Sequence, residues 1–402
     1  MQQTGHKKSK GTFKKYILKA HLWLGLFSGI IVLIVSLSGA FFVFNEDITA
    51  ALRKDTTFHG EKDIQHKKPI PIRELKDIVN AQLKSEIVKT DEVTIPIDPA
   101  RSYQFGLIKV NEEGWNHFNT FIVFKNVYVN QYTGKVLAIY DVKNNPFFIC
   151  MTLHRSLLLS NKIGGTIVGI STIIFVIMLI TGIILWWPKN KKMRQQRLWF
   201  RWEKVKGWRR KNYDVHNILG FYASFLAIVV AITGIMYSFR ITQVWVYALL
   251  NGFSTATPDY SQYKTTAPES VETATTIDRI IEQVKTHYPK AYSFGIDLED
   301  HAEADHKHDN LSIWIKDKEF TYAESSMMIF DEHSGKLLFN HPHEDKPMAE
   351  RATDATYDLH VGAFFGMPGK ILAFIMSLFC ASLPITGFMI WWGRKNKKKP
   401  TT

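Results

Sequence analysis

Four histidines stand beside long apolar runs. His21 opens HLWLGLFSGIIVLIVSLSGAFF, and His216 opens HNILGFYASFLAIVVAITGIMY 195 residues later. In both runs a glycine follows four residues on (Gly25, Gly220), and a small-residue step ends in a second glycine eighteen residues on (Ser38-Gly39, Thr233-Gly234). Eighteen residues is about five turns of α-helix, so each histidine shares one helix face with both of its glycines. The other two histidines precede such runs: His154 comes before Thr181-Gly182 and Trp186-Trp187, and His360 before Thr386-Gly387 and Trp391-Trp392. Imidazole is a common transition-metal ligand and an axial ligand of haem iron. A haem is also flat and wide, so helices beside it need positions without a side chain. Histidines and glycines in this pattern point to bis-histidine haem b. There is no C-x-x-C-H for covalent attachment, and the cysteines, Cys150 and Cys380, are too few for more than one disulfide.

The elements that must position these residues are membrane helices. Leu22–Phe44, Ile163–Trp187, Val215–Phe239 and Ile371–Trp392 contain no Lys, Arg, Asp or Glu. Each is long enough for a hydrocarbon core of about 30 Å at about 1.5 Å per residue. The first is longer than a signal-peptide core and is expected to be retained as an anchor. Residues 1–20 carry six lysines, 189–214 carry eleven Lys/Arg, and the segment from Arg394 carries five. Only Glu203 and Asp214 oppose them, while the rest of the chain is net acidic. The positive-inside rule therefore places both termini and the middle loop in the cytoplasm and the two long loops outside. The basic balance is a topology signal and gives no reason to expect a nucleic-acid partner.

The two outer segments repeat one order. A helix is predicted over Pro71–Leu83, with strands at Val93–Ile97, Tyr103–Val110, Asn119–Val129 and Val136–Tyr140. The second set is a helix over Ile277–His287 and strands at Tyr292–Leu298, Leu311–Lys316, Phe320–Phe330 and Leu337–Phe339. Thr133-Gly134-Lys135-Val136-Leu137 matches Ser334-Gly335-Lys336-Leu337-Leu338. The expected fold is an α-helical membrane protein of four transmembrane helices in two tandem repeats, with two extracytoplasmic α+β modules. The divisions are a basic leader (1–15), first membrane helix (16–44), first module (45–149), and an interfacial segment with the second helix (150–188). A basic loop (189–212), third helix (213–240), second module (241–357), interfacial segment with fourth helix (358–393) and basic tail (394–402) follow. Two halves that both start in the cytoplasm are related by an axis along the membrane normal. That axis exchanges His21 with His216 and His154 with His360, giving one haem per leaflet. His21 cannot reach His154, because most of the membrane lies between them. Gly39 and Gly234 fall level with the outer pair, Gly182 and Gly387 with the inner pair. The neighbouring Ser38, Thr181, Thr233 and Thr386 are expected to bond back to their own helices.

This pattern resembles the PepSY-associated transmembrane family, which includes bacterial inner-membrane ferric-siderophore reductases and iron-regulated membrane proteins. The resemblance rests on His21-x-x-x-Gly25, Leu153-His154-Arg155, Asp214-Val215-His216-Asn217, Asp358-Leu359-His360, the Thr/Ser-Gly steps and the Thr-Gly-Lys and Ser-Gly-Lys turns. It implies PepSY-like outer modules and haem-dependent reduction of ferric siderophores or other ferric chelates. Some relatives carry a fused flavin or NADPH domain. This sequence has no G-x-G-x-x-G, so quinol or a separate cytoplasmic reductase is the expected donor. The rival expectation is a non-redox anchor whose modules bind peptides or regulate a peptidase.

Further candidates are weaker in spacing. His301, His306 and His308, and separately His341 and His343, lie among acidic residues and are candidates for transient iron or chelate contact. Arg155 and Lys370 are candidates for haem propionates or interface anchors. Trp115, Trp245 and Trp314 would stack on a siderophore or, more simply, pack in a core. The basic segment with Trp199, Trp202 and Trp208 reads as a donor-docking surface or as a strip held by anionic membrane lipid. Electron transfer needs no general acid or nucleophile, and no such constellation is present.

Overall fold

The computed structural model describes residues 8–83, 92–188, 190–205, 207–255, 260–263, 273–298 and 310–396. The helices used below are, in chain order, α1 (Lys8–Phe42), α2 (Ile72–Leu83), α3 (Pro146–Ser156), α4 (Thr166–Trp186), α5 (Lys191–Leu198), α6 (Trp208–Ser238), α7 (Thr273–His287), α8 (Thr356–Val361) and α9 (Gly366–Lys395). The strands are β1 (Glu92–Pro96), β2 (Tyr103–Val110), β3 (Phe121–Val129), β4 (Val136–Asp141), β5 (Ser293–Asp297), β6 (Asn310–Lys316), β7 (Ser325–Asp331) and β8 (Leu337–His341). The chain divides into two compact units, one of Met1–Val43, Cys150–Thr242 and Leu359–Thr402, the other of Phe44–Ile149 and Gln243–Asp358.

The first unit is a helix bundle. Helical spans at Thr12–Leu52, Asn161–Trp186, Trp208–Ser238 and Ala363–Lys395 are long and apolar enough to cross a membrane. Helices suit lipid because every interior backbone donor finds its acceptor within the element. Large apolar side chains such as Phe27, Ile30, Ile170 and Phe225 face outward, while Ala223, Ala227, Ala231, Ala373 and Ala381 are buried. That inversion is expected where the solvent is hydrocarbon and helices gain by close approach. Packing runs α1 to α4, α4 to α6, α6 to α9 and α9 to α1, so α1 faces α6 across the centre.

The second unit is α+β. Its strands form one antiparallel sheet in the order β4-β3-β2-β1-β5-β6-β7-β8. Val93, Ile95, Phe105 and Leu107 alternate inward on β1 and β2, as Phe294, Ile296, Ile313 and Ile315 do on β5 and β6. Alternation arises because successive strand side chains point to opposite faces. The inward residues meet Ile72, Leu75 and Val79 of α2 and Ile280, Ile281 and Val284 of α7 in one core.

The sequence suggested two modules, and the structure merges them. β1 pairs with β5, Glu92 opposite Asp297 through Pro96 opposite Ser293. The two innermost strands would otherwise each leave an unpaired edge. Two predicted strands start late. The Asn116 side chain accepts from the Asn119 N–H and caps a turn at His117–Thr120, so β3 begins at Phe121. Phe320 adopts a left-handed φ of 59°, and the Tyr322 and Ala323 N–H groups donate to the Asp358 carboxylate instead of to a strand. β7 therefore begins at Ser325 and not at Phe320.

The helices α2 and α7 are tied by Asp278, whose Oδ1 accepts from the Ile72 N–H at 3.1 Å. Burial raises the Asp278 carboxyl above its ordinary 3.8, and the Ile72 N–H only partly offsets this. A raised acid binds its proton more tightly in the folded chain, so its stability contribution is whole below the unfolded value and is lost as pH rises through the folded one. Asp278→Asn keeps an oxygen acceptor and cannot ionise. Its melting temperature should match the wild type near about pH 3 and exceed it by about pH 7. A pH-independent difference between the two proteins would remove this role for Asp278.

Candidate functional site

His21 of α1 and His216 of α6 point across the bundle from facing helices, with ring centroids 6.5 Å apart and planes at 88°. Each ring leans on the neighbouring helix. His21 Nδ1 lies 2.9 Å from Thr181 Oγ1 of α4, and His216 Nδ1 lies 2.9 Å from Thr386 Oγ1 of α9. Asn212 Nδ2, one turn before His216, donates to the Thr386 carbonyl at 3.0 Å and fixes the register of α6 against α9.

The second pair sits at the other end. His154 and His360 have centroids 5.8 Å apart and planes at 70°. Neither is on a spanning helix; α3 and α8 are short and fold back over α4 and α9. Tight corners make this possible. Leu157 and Leu158 take left-handed φ of 57° and 60°, and a Cβ on Gly164 would stand 1.8 Å from the Ser156 carbonyl oxygen. Gly362, at φ 81°, and Gly369 approach so closely that a Cβ on either would clash with the other's carbonyl. His154 Nδ1 lies 2.8 Å from the Val35 carbonyl of α1. His360 Nδ1 lies 2.9 Å from Thr233 Oγ1 and 3.0 Å from the Val230 carbonyl of α6.

These bonds favour one tautomer. Thr181, Thr386 and Thr233 hydroxyls donate to carbonyls of their own helices, at Ile177, Ser382 and Val230. A hydroxyl that keeps its proton on that carbonyl accepts from Nδ1, which places the hydrogen there. The Val35 carbonyl requires the same of His154. With the hydrogen on Nδ1, the Nε2 of each ring is the nitrogen able to ligate a metal. A first-row metal binds imidazole nitrogen at about 2 Å, and a ring nitrogen lies about 1.1 Å from its centroid, so two imidazoles on opposite sides of one ion have centroids about 6 Å apart. The two observed spacings, 6.5 Å and 5.8 Å, bracket that value.

Four glycines face these rings. A Cβ on Gly39 would lie 2.8 Å from His154 Cε1, on Gly234 3.2 Å from His360 Cε1, on Gly387 3.3 Å from His216 Cε1, and on Gly182 3.5 Å from His21 Cε1. Each of α1 and α6 thus carries a histidine at one end and a glycine for the opposite pair at the other, roughly 27 Å along the axis. Gly25 and Gly220, by contrast, meet Met178 and Leu383 and no ring. Four residues carry the helix about 6 Å deeper, so these two lie beneath their histidines.

The PepSY-associated TM region matches residues 18–394. The chain belongs to that family. None of the curated proteins compared with it matches. The match spans all four histidines, all six glycines and the sheet.

Other residues singled out in the sequence fall elsewhere. His301, His306 and His308 lie outside the described residues. His341 Nε2 is held by Glu350 Oε2 at 2.8 Å, while the backbone N–H of His343 donates to Ser326 Oγ. Among the described residues no three His, Cys, Asp or Glu side chains gather as a metal site. Arg155 is exposed and Lys370 buried. Trp115, Trp245 and Trp314 are exposed, so the core-packing expectation for them fails; Trp314 occupies an outward position of β6. Sequence reasoning treated the threonines as self-satisfied and missed that their oxygens also receive the imidazoles. It also passed over Gly164, Gly362 and Gly369, whose signal was the glycine clustering before each apolar run.

The unequal glycine clearances generate a test. Gly39→Ala must push the His154 ring aside and is expected to cost about 1–3 kcal/mol. Gly182→Ala places its Cβ at ordinary contact distance and should be neutral or slightly stabilising. Thermal melts of the two variants measure the difference. Equal effects would mean that Gly39 is not packed on His154.

Proposed function

We propose that this chain is a di-haem b oxidoreductase of the cell inner membrane, carrying electrons from the cytoplasmic side to extracytoplasmic ferric siderophores or other ferric chelates. The observation that carries this reading is the set of four imidazoles in two facing pairs, each held through Nδ1. His21 with His216, and His154 with His360, would each hold one haem. Bound there, each haem supplies a one-electron ferric/ferrous couple inside a low-dielectric core.

The chain's own residues do the rest. Thr181, Thr386, Thr233 and the Val35 carbonyl accept from Nδ1, which orients each ring and makes its Nε2 a better donor. Gly39, Gly234, Gly182 and Gly387 keep the helix surface beside each ring clear. Along the helices between the two levels, Leu179, Ala223, Ala227, Met376 and Cys380 pack as one apolar cluster that resists water. The two halves of the chain read as tandem repeats. Basic residues at 1–20, 189–214 and from 394 favour cytoplasmic termini, with the His21–His216 pair on the donor side and the α+β unit outside.

Two measurements test this. A pyridine haemochrome assay on well-loaded protein should return two haems per chain, falling to one in His216→Ala or His154→Ala. A value of one or none in the wild type would end the two-haem reading and favour a peptide-binding anchor. Proteoliposomes with reductant inside and ferric chelate outside test direction. His216→Ala and His360→Ala should each abolish external ferrous iron production from the internal donor. With a chemical reductant added outside, His216→Ala should recover chelate reduction. External reduction at the wild-type rate in His216→Ala, from the internal donor alone, would exclude the inner pair from the route.

A further inference from the structure

We infer that a small polar pocket beside the His216 helix binds the ring of a lipid-soluble quinol. The inference rests on the electron-transfer reading above and commits its donor to one chemical class and one place. The pocket, of about 130 Å³, lies between α5 and the first turns of α6. A cavity of about 150 Å³ takes up benzene, so this slightly smaller and partly open one is on the scale of a single ring and far too small for a dinucleotide.

Its walls are fixed. Trp186 Nε1 donates to the Arg197 carbonyl at 3.4 Å, Arg197 Nη1 donates to the Leu185 carbonyl at 3.2 Å and to that of Trp186, and Tyr222 OH donates to the Leu198 carbonyl at 3.1 Å. These bonds pin α5 to α4 and α6. Met193 and Ile218 supply apolar lining.

Part of each cation is already held. Arg197 Nη1 donates to the two carbonyls, and Arg210 Nε is paired with Asp214 Oδ1 at 3.0 Å. What the lining offers is acceptors. The Asp214 carboxylate is buried and keeps lone pairs beyond those used by Arg210. Asn217 Nδ2 donates to the Tyr213 carbonyl at 2.7 Å, which leaves its amide oxygen to accept. Acceptors around a ring-sized space match the two hydroxyl donors of a hydroquinone.

The location fits a ligand that arrives from lipid. Trp187, Trp199, Phe200 and Trp202 flank α5 and are all exposed. Exposed tryptophans among basic residues mark the membrane–water interface, where a quinol presents its ring. Asp214 and Asn217 stand two residues before and one after His216, so a ring bound there is within about one helical turn of the inner pair.

The test uses full-length, haem-loaded protein in nanodiscs of neutral lipid, with haem counted on each preparation. A short-tailed azidobenzoquinone is photolysed, and labelled peptides are mapped by mass spectrometry. Equilibrium binding of a short-tailed benzoquinol is measured in parallel. Label is expected on α5 or the first turns of α6. Gln196 also lines the pocket; Gln196→Leu with Asn217→Leu should weaken binding about tenfold, and Met193→Trp, which fills the cavity, should abolish it. Labelling elsewhere, unchanged affinity in Met193→Trp, or displacement of the probe by phosphatidylglycerol in proportion to its content would each overturn the inference. The last would make the pocket an anionic-lipid site. Haem-replete protein that binds no quinol defeats this inference alone; protein that binds quinol but never holds haem defeats the electron-transfer reading instead.

Discussion

A hydroxyl that has already given its proton away can only accept another, and the bundle depends on that rule. In a spanning helix a threonine returns its hydrogen to the carbonyl a turn behind, as Thr181 does at Ile177 and Thr386 at Ser382. The oxygen then becomes a fixed acceptor in an environment with no water to compete. An imidazole placed against it is steered toward the tautomer with its hydrogen on Nδ1. One side chain thus does two things: it satisfies itself and orients a neighbour's ring. The first member of the opposite pair reaches the same end by another means. Ser38 bonds back to Ile34, but His154 passes it and takes the Val35 carbonyl instead.

The histidines at the His154 end need more scaffolding than those at the His21 end. His21 and His216 are carried by their own spanning helices. His154 and His360 ride on short helices that must double back, and the corners accept only residues able to bring carbonyl and backbone together without a Cβ. The clearance at Gly164 and the mutual contact of Gly362 and Gly369 are the closest approaches of this kind in the bundle. Such positions carry an entropic cost of about 0.5–1 kcal/mol relative to alanine when helical. Their presence where the chain reverses makes sense if the reward is the placement of a ring.

Much of this was legible in the sequence because it is periodic. Membrane spans follow from uncharged length, and the shared face of His21 and Gly39 follows from eighteen residues being a whole number of turns. The level of each glycine against the opposite pair could be read in the same way, and the structure places Gly39 on His154 and Gly182 on His21. What periodicity could not supply was direction within a turn. Gly25 and Gly220 share the histidine face by count, yet they rest on Met178 and Leu383, because a face is wide and a ring is narrow. The threonine bonds were illegible for a similar reason: a step that satisfies its own helix gives no sign that it also serves a residue 160 or 170 positions away. Strand ends were misplaced where a side chain outbid the ladder, Asn116 before β3 and Asp358 before β7.

The pairing of β1 with β5 was not visible in either half taken alone, and it carries a consequence for how the chain holds together. Each half supplies four strands, and the two innermost ones lie antiparallel across the middle of one sheet. The bundle is divided in the same manner, with one histidine of each pair from each half. Neither half could complete a histidine pair, and neither could bury its innermost strand edge. An exposed edge of that kind invites pairing with another chain. Joining the halves in one polypeptide fixes their ratio at one to one and raises their effective concentration to that of a tethered pair.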